Sequence, residues 1–145
     1  MARCLVAGCG YVGTALAVLL RDAGHGVFGL KRRPEGLPEG VTPLAADLAD
    51  ANSLAAALAR IEAPPDVVVY AAAADQGDDA AYRRAYVDGL RTLAAALHAR
   101  GATPAGVFFT SSTAVYAQDD GAWVDESSLT APSDFRGARM LEAEA

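Results

Sequence analysis

Lysine is almost missing from this chain. Lys31 is the only one in 145 residues, and eleven arginines do not offset eighteen acids, so the formal net charge is −6. A domain with that balance lacks the electrostatic footprint for binding nucleic acid. Cysteine is equally scarce: Cys4 and Cys9 are the two present, both close to the N-terminus. That spacing fits neither a metal site nor a disulfide framework, and it points to a reducing, cytoplasmic compartment. No apolar run reaches the ~20 residues of a membrane-spanning helix. The stretch from Cys4 to Leu20, preceded by Arg3, has the outline of a secretory signal, but Gly8, Gly10 and Gly13 interrupt it. Aromatic residues make up only 7%, too few for an all-β domain. There is no internal repeat.

What the chain has is alanine, at 34 positions, within an apolar fraction of 52%. Small helix-forming side chains allow helices to pack closely on a sheet. The length fits one domain, residues 1–145. Short apolar runs alternate with helical patterns. Strands are expected at 3–7, 27–31, 41–46, 67–70 and 107–110. Helices are expected at 11–23, from a cap at Asn52 or Ser53 through Ile61, at 79–100, and from near Ser133 to Ala145. The first helix offers Val12, Leu16, Leu19 and Leu20 at helical spacing. Val67 to Tyr70 is apolar throughout, as in a strand buried on both faces. This alternation predicts an α/β, doubly wound parallel sheet, Rossmann-like, with helices on both faces. The last helix has no strand after it, so either self-association or a further C-terminal segment is expected to cover the fifth strand's edge.

Gly8-Cys9-Gly10-Tyr11-Val12-Gly13 is a G-x-G-x-x-G placed between the first strand and the first helix. In that setting the first glycine makes the turn, the second admits a pyrophosphate, and the third lets the helix close on the strand. The helix N-terminus offers N–H groups and partial positive charge to the phosphates. Cys9 reads as a small loop filler. A site for NAD places an acid at the end of the second strand to hold the ribose 2′-hydroxyl. Here Lys31-Arg32-Arg33 stands instead. Guanidinium groups suit a 2′-phosphate, so NADP is favoured over NAD.

Several segments together resemble the NAD(P)-dependent epimerase/dehydratase family, the extended and atypical short-chain dehydrogenases. Ala46-Asp47-Leu48-Ala49-Asp50 is similar to its G-D-L-x-D, and Asp66 to Ala73 to its D-V-V-I-H-L-A-A. Thr110-Ser111-Ser112-Thr113-Ala114-Val115-Tyr116 is similar to S-S-S-x-x-V-Y, and Trp123-Val124-Asp125-Glu126 to the acidic segment that follows. The resemblance implies that Asp47 and Leu48 contact adenine, that Ala71, Ala72 and Ala73 line the cofactor groove together with Ser111, and that Ser112 is the catalytic hydroxyl. It also places the family's Tyr-x-x-x-Lys register on Phe135 and Arg139. Phenylalanine has no phenol to exchange a proton, and arginine does not restore it.

Three readings follow. One is an oxidoreductase or epimerase acting on a carbonyl or nucleotide-sugar-like small molecule, with Ser112 and another proton donor, Tyr116 first. One is a non-catalytic dinucleotide-binding module, a sensor or scaffold. The third is a nucleotide-sugar 6-dehydrogenase type, since Gly8 to Gly13 also resembles the opening of those enzymes. Neither a metal site nor a membrane partner is expected. Tyr82 and Tyr86 read as helix packing, Arg83 and Arg84 as a solvated face whose helix start can lie near the cofactor cleft, and His25 as an exposed turn residue.

Overall fold

The computed structural model describes residues 1–145. Five strands form one parallel sheet: β1 (Arg3–Ala7), β2 (Gly26–Lys31), β3 (Val41–Ala45), β4 (Val67–Tyr70) and β5 (Gly106–Phe109), in the order β3-β2-β1-β4-β5. All pairings are parallel, with Leu5 opposite both Phe28 and Val68. The helices are α1 (Tyr11–Asp22), α2 (Ala51–Leu58), α3 (Asp79–Tyr82), α4 (Gly89–Ala99) and α5 (Phe135–Glu144). The sheet order reverses direction beside β1, which opens a crevice at the carboxyl ends of β1 and β4. Ligands of open α/β sheets bind at such a switch point.

The two faces are covered unequally. Leu54, Leu58, Leu93 and Leu97 from α2 and α4 bury Leu5, Leu30, Leu44, Val68 and Tyr70. Each buried leucine contributes roughly 1.5–3 kcal/mol relative to exposure. On the opposite face α1 lies over Val6, Val27 and Val41. It buries Gly13 and Ala17, with Leu20 packed beside them, while Val12 and Leu19 are exposed. The four-residue apolar stripe expected from the sequence is therefore rotated. Small residues occupy the seam because a Cβ at Gly13 would stand 2.2 Å from the Gly8 carbonyl oxygen.

The covering by α1 stops short of β4 and β5. Val68 and Tyr70 are buried, but Val67 and Val69 are only half-buried, so β4 is not enclosed on both faces as its composition implied. Phe108, the partner of Val69 in β5, is 59% exposed.

Caps and boundaries also differ. The cap of α2 is Asp50, whose carboxylate accepts from the Asn52 and Ser53 amides at 2.9 and 3.1 Å. An acceptor two residues ahead of Asn52 reaches two of the free N–H groups of the first turn. Asp134 caps α5 in the same way. His25 is half-buried, and its Nδ1 accepts from the Ala2 amide at 3.2 Å, so it ties down the N-terminus.

The helix expected over 79–100 is continuous in space but has a π turn at Arg83–Asp88. Its cause is specific. The buried Tyr70 hydroxyl donates to the Ala85 carbonyl at 2.5 Å. That carbonyl would otherwise accept from Gly89, whose N–H bonds to the Arg84 carbonyl instead, one residue further back. Gly89 is required there, since a Cβ would stand 2.3 Å from the Tyr70 hydroxyl oxygen.

Candidate dinucleotide site

A cavity of about 820 Å³ opens at the switch point, within the 300–1,000 Å³ range of small-molecule sites. Its floor is the turn from β1 into α1. Gly8 has φ +97°, and a Cβ on it would approach the Ala72 backbone to 2.4 Å. Only glycine lets this turn lie against the end of β4. Gly10 is different: a Cβ there meets nothing within 4 Å. Nothing in the protein fills the space above Gly10, and that space adjoins an α1 N-terminus with no side-chain cap and no acid in its first turn. Free N–H groups beside an open cradle fit a phosphate. Cys9 lines the floor and is fully buried, its thiol donating to the Val6 carbonyl at 3.5 Å. Burial pushes that thiol's pKa up, as expected of a filler rather than an activated nucleophile.

Among the residues singled out by sequence, the cavity brings together Gly8, Cys9, Gly10, Tyr11, Val12, Lys31, Arg32, Arg33, Asp47, Leu48, Ala71, Ala72 and Ala73. Gly13 lies beneath the turn, against Gly8.

Two further charged residues line the cavity. Asp75, past the end of β4, accepts from Arg32 Nη2 at 2.6 Å. Arg84, in the π turn, donates to Asp47 Oδ2 at 2.6 Å. Arg84 is solvated as expected, its side chain 61% exposed, and the π turn also brings it to the cavity. Partial burial works against the Asp47 charge, yet the Ala49 amide and Arg84 outweigh it and hold the carboxyl below its ordinary range. The hydrogen bond from Arg32 does the same for Asp75. Lys31 and Arg33 form no ion pair.

These features decide the family. The chain belongs to the NAD-dependent epimerase/dehydratase family, whose model matches residues 4–137. Among solved structures it is similar to a protein of Methylobacillus flagellatus assigned as an NAD-dependent epimerase/dehydratase. That match has 40% identity and a TM-score of 0.80, and covers 99% of this chain and 49% of the other. A protein of Burkholderia cenocepacia assigned as an epimerase matches at 30% identity and TM-score 0.83, covering 99% and 48%. A short-chain dehydrogenase/reductase superfamily protein of Agrobacterium tumefaciens, solved with bound NAD, matches at 28% and 0.79, covering 98% and 43%. The chain therefore spans about half the length of these relatives. No curated protein matches it.

A second cavity of about 250 Å³ adjoins the first, sharing Val12, Ala71, Ala72 and Ala73. Thr110, Ser111, Ser112, Tyr82, Tyr86 and Arg136 also line it. Ser112 caps a short 3₁₀ turn at Thr113–Val115, where its Oγ accepts from the Ala114 amide at 3.2 Å. The hydroxyl hydrogen stays free to donate. Ser111 donates instead to the Glu144 carboxylate of α5.

Tyr116, the proton donor first considered, lines neither cavity. Tyr82 and Tyr86 do, and were read as packing because helical spacing alone does not reveal the cavity across the π turn. Tyr82 meets the Phe135 ring edge-on, with centroids 5.6 Å apart. Arg139 points away from the second cavity: Asp79 accepts from it at 2.6 and 2.9 Å and Glu142 at 2.8 Å. Those carboxylates raise its pKa further above the ordinary arginine value. No helix is long and apolar enough to cross a membrane.

Proposed function

We propose that this chain is the NADP(H)-binding part of an epimerase/dehydratase-type oxidoreductase acting on a carbonyl or nucleotide-sugar-like substrate in a reducing, cytoplasmic compartment. The observation that carries the cofactor choice is the end of β2. Lys31, Arg32 and Arg33 line the same cavity as the glycine turn, no acid stands at the end of β2 itself, and two of these cations have no ion-pair partner. The Gly8 to Gly13 turn and the open N-terminus of α1 would hold the pyrophosphate. Arg33 and Lys31 would meet the 2′-phosphate, with Arg32 available once it leaves Asp75.

When bound, the nicotinamide would supply a hydride acceptor or donor. The chain's own contribution is the Ser112 hydroxyl, held by the Ala114 amide with its hydrogen free. It would stabilise developing charge on a substrate oxygen. Phe135 moves no proton, and Arg139 is neutralised by two carboxylates. These two residues also support the second reading, a dinucleotide-binding module without turnover. The open edge of β5, with Val107 and Phe108 exposed, supports a covering partner: a second copy or further chain.

The test is titration of NADPH and NADH by nicotinamide fluorescence on the unaltered chain and on Arg33→Ala. NADPH should bind more tightly. Arg33→Ala should weaken it about tenfold to a hundredfold, the loss of one charge-assisted contact of ~1.5–3 kcal/mol, and leave NADH nearly unchanged. Tighter NADH binding by the unaltered chain, or equal weakening of both, refutes the assignment.

A further inference from the structure

The four charges that pair across the first cavity form one arrangement rather than two isolated bridges. Arg32 reaches from the end of β2 to Asp75 past β4, and Arg84 reaches from the π turn to Asp47 past β3. The pairs are coupled, since Arg84 also acts on Asp75 and Arg32 on Asp47. Four cations and two carboxylates line the cavity: Lys31, Arg32, Arg33 and Arg84 against Asp47 and Asp75. One guanidinium of the basic cluster is thus already occupied by a carboxylate of the same chain.

We propose that Asp75 is a specificity-determining residue: it occupies Arg32 in place of the 2′-phosphate and so restrains the preference for NADP(H) over NAD(H). This rests on the assignment of the basic β2 end to the 2′-phosphate.

The chemistry follows from exposure and charge. The Arg32 and Asp75 side chains are 59% and 60% exposed. An exposed pair is worth little. A phosphate carrying up to two charges and three acceptor oxygens outcompetes it for the guanidinium. The displaced carboxylate then remains in the cavity as a like charge facing that phosphate, and the repulsion adds to the lost pair. A ligand without the 2′-phosphate leaves the bridge intact and meets neither cost. Asp75 therefore weakens one cofactor and not the other.

The experiment uses the purified chain and the variants Asp75→Asn, Arg32→Ala and the double replacement, at one fixed ionic strength. Dissociation constants are measured for NADPH and NADH, and for 2′,5′-ADP and 5′-AMP as competitors that isolate the adenosine end. Asp75 is an exposed loop residue, and far-UV circular dichroism with the urea midpoint checks the fold of each variant. Asp75→Asn should tighten NADPH and 2′,5′-ADP about three- to tenfold and leave NADH and 5′-AMP within about twofold. In the Arg32→Ala background the same replacement should tighten NADPH by a clearly smaller factor. If Arg32→Ala weakens NADPH but Asp75→Asn does not tighten it, the role given to Asp75 is wrong while the cofactor assignment stands. If Arg32→Ala and Arg33→Ala both leave NADPH unaffected, the cofactor assignment fails and takes this proposal with it. Loss of NADH affinity in Asp75→Asn would identify Asp75 as the ribose carboxylate and overturn the proposal.

Discussion

The hydroxyl of Tyr70 takes the carbonyl of Ala85, and the helix of 79–99 gains a π turn because of it. Burial pushes the phenol pKa up, so it stays a donor at any ordinary pH. The extra backbone residue per turn sets the register at which Arg84 faces Asp47. π turns are rare, and they cluster at functional sites.

Tyr70→Phe removes the donor and leaves the Ala85 carbonyl without its partner. Unfolding by urea should show a loss of about 1–3 kcal/mol, the cost of an unsatisfied buried acceptor. Affinity for NADPH should fall as well, because the register of Arg84 is released. Unchanged stability together with unchanged affinity would show that the π turn has another cause.

Replacements of the loop glycines should separate folding from binding. Gly8→Ala forces a Cβ to 2.4 Å from the Ala72 amide nitrogen in a left-handed conformation, so the chain should be strongly destabilised. Gly10→Ala meets no protein atom, so the melting temperature should hardly change. Its methyl occupies the cradle, and both NADPH and NADH should weaken at least about tenfold. A Gly10→Ala variant with intact binding of both would mean that the pyrophosphate does not lie there.

Asp66 offers a pH test. Arg3 donates to it from its side chain at 2.7 Å and from its backbone amide at 2.7 Å, and holds its pKa at about 2 against an ordinary 3.8. The folded carboxyl is depressed, so between these values the unfolded chain binds more protons. Its stabilisation is present above about pH 4 and is lost as the pH falls from 3.8 toward 2. Asp66→Asn should flatten that part of the urea-midpoint profile while leaving its alkaline side parallel to the unaltered chain. An unchanged acid slope would show that the pairing does not persist in solution.

With Phe135 and Arg139 in the proton-transfer register, single-turnover NADPH oxidation against a carbonyl panel should stay near background. Acid–base groups contribute ~10²–10⁴-fold. Phe135→Tyr with Arg139→Lys should recover a little turnover that Ser112→Ala then removes. Robust turnover by the unaltered chain would point to another donor. Tyr82 and Tyr86, which line the second cavity, should then be replaced before Tyr116.

The strands and the glycine turn were legible because their signals are local. Strands declare themselves by short apolar runs, and Gly8, Gly10 and Gly13 sit within six residues of one another. Boundaries moved by one to three residues, as at α2, which ends at Leu58 and where an aspartate ahead of the expected cap wins by reaching two amides. The exposure of Leu19 was less legible, because a Gly13–Ala17 seam buries small residues and leaves the larger ones at its flanks.

By itself, then, the sequence determined the doubly wound sheet, the glycine turn between β1 and α1, and the family. Each is written in residue type and near spacing. Tertiary structure alone decided the partners of the charges. Arg32 and Asp75 are 43 residues apart and Arg84 and Asp47 are 37; they meet only because the sheet order sets the ends of β2, β3 and β4 around one crevice. The same holds for Tyr70 and Ala85, and for the cavity that takes in Tyr82 and Tyr86 and leaves out Tyr116. Side-chain pairing across such distances depends on where the backbone carries each residue, and no local periodicity encodes that.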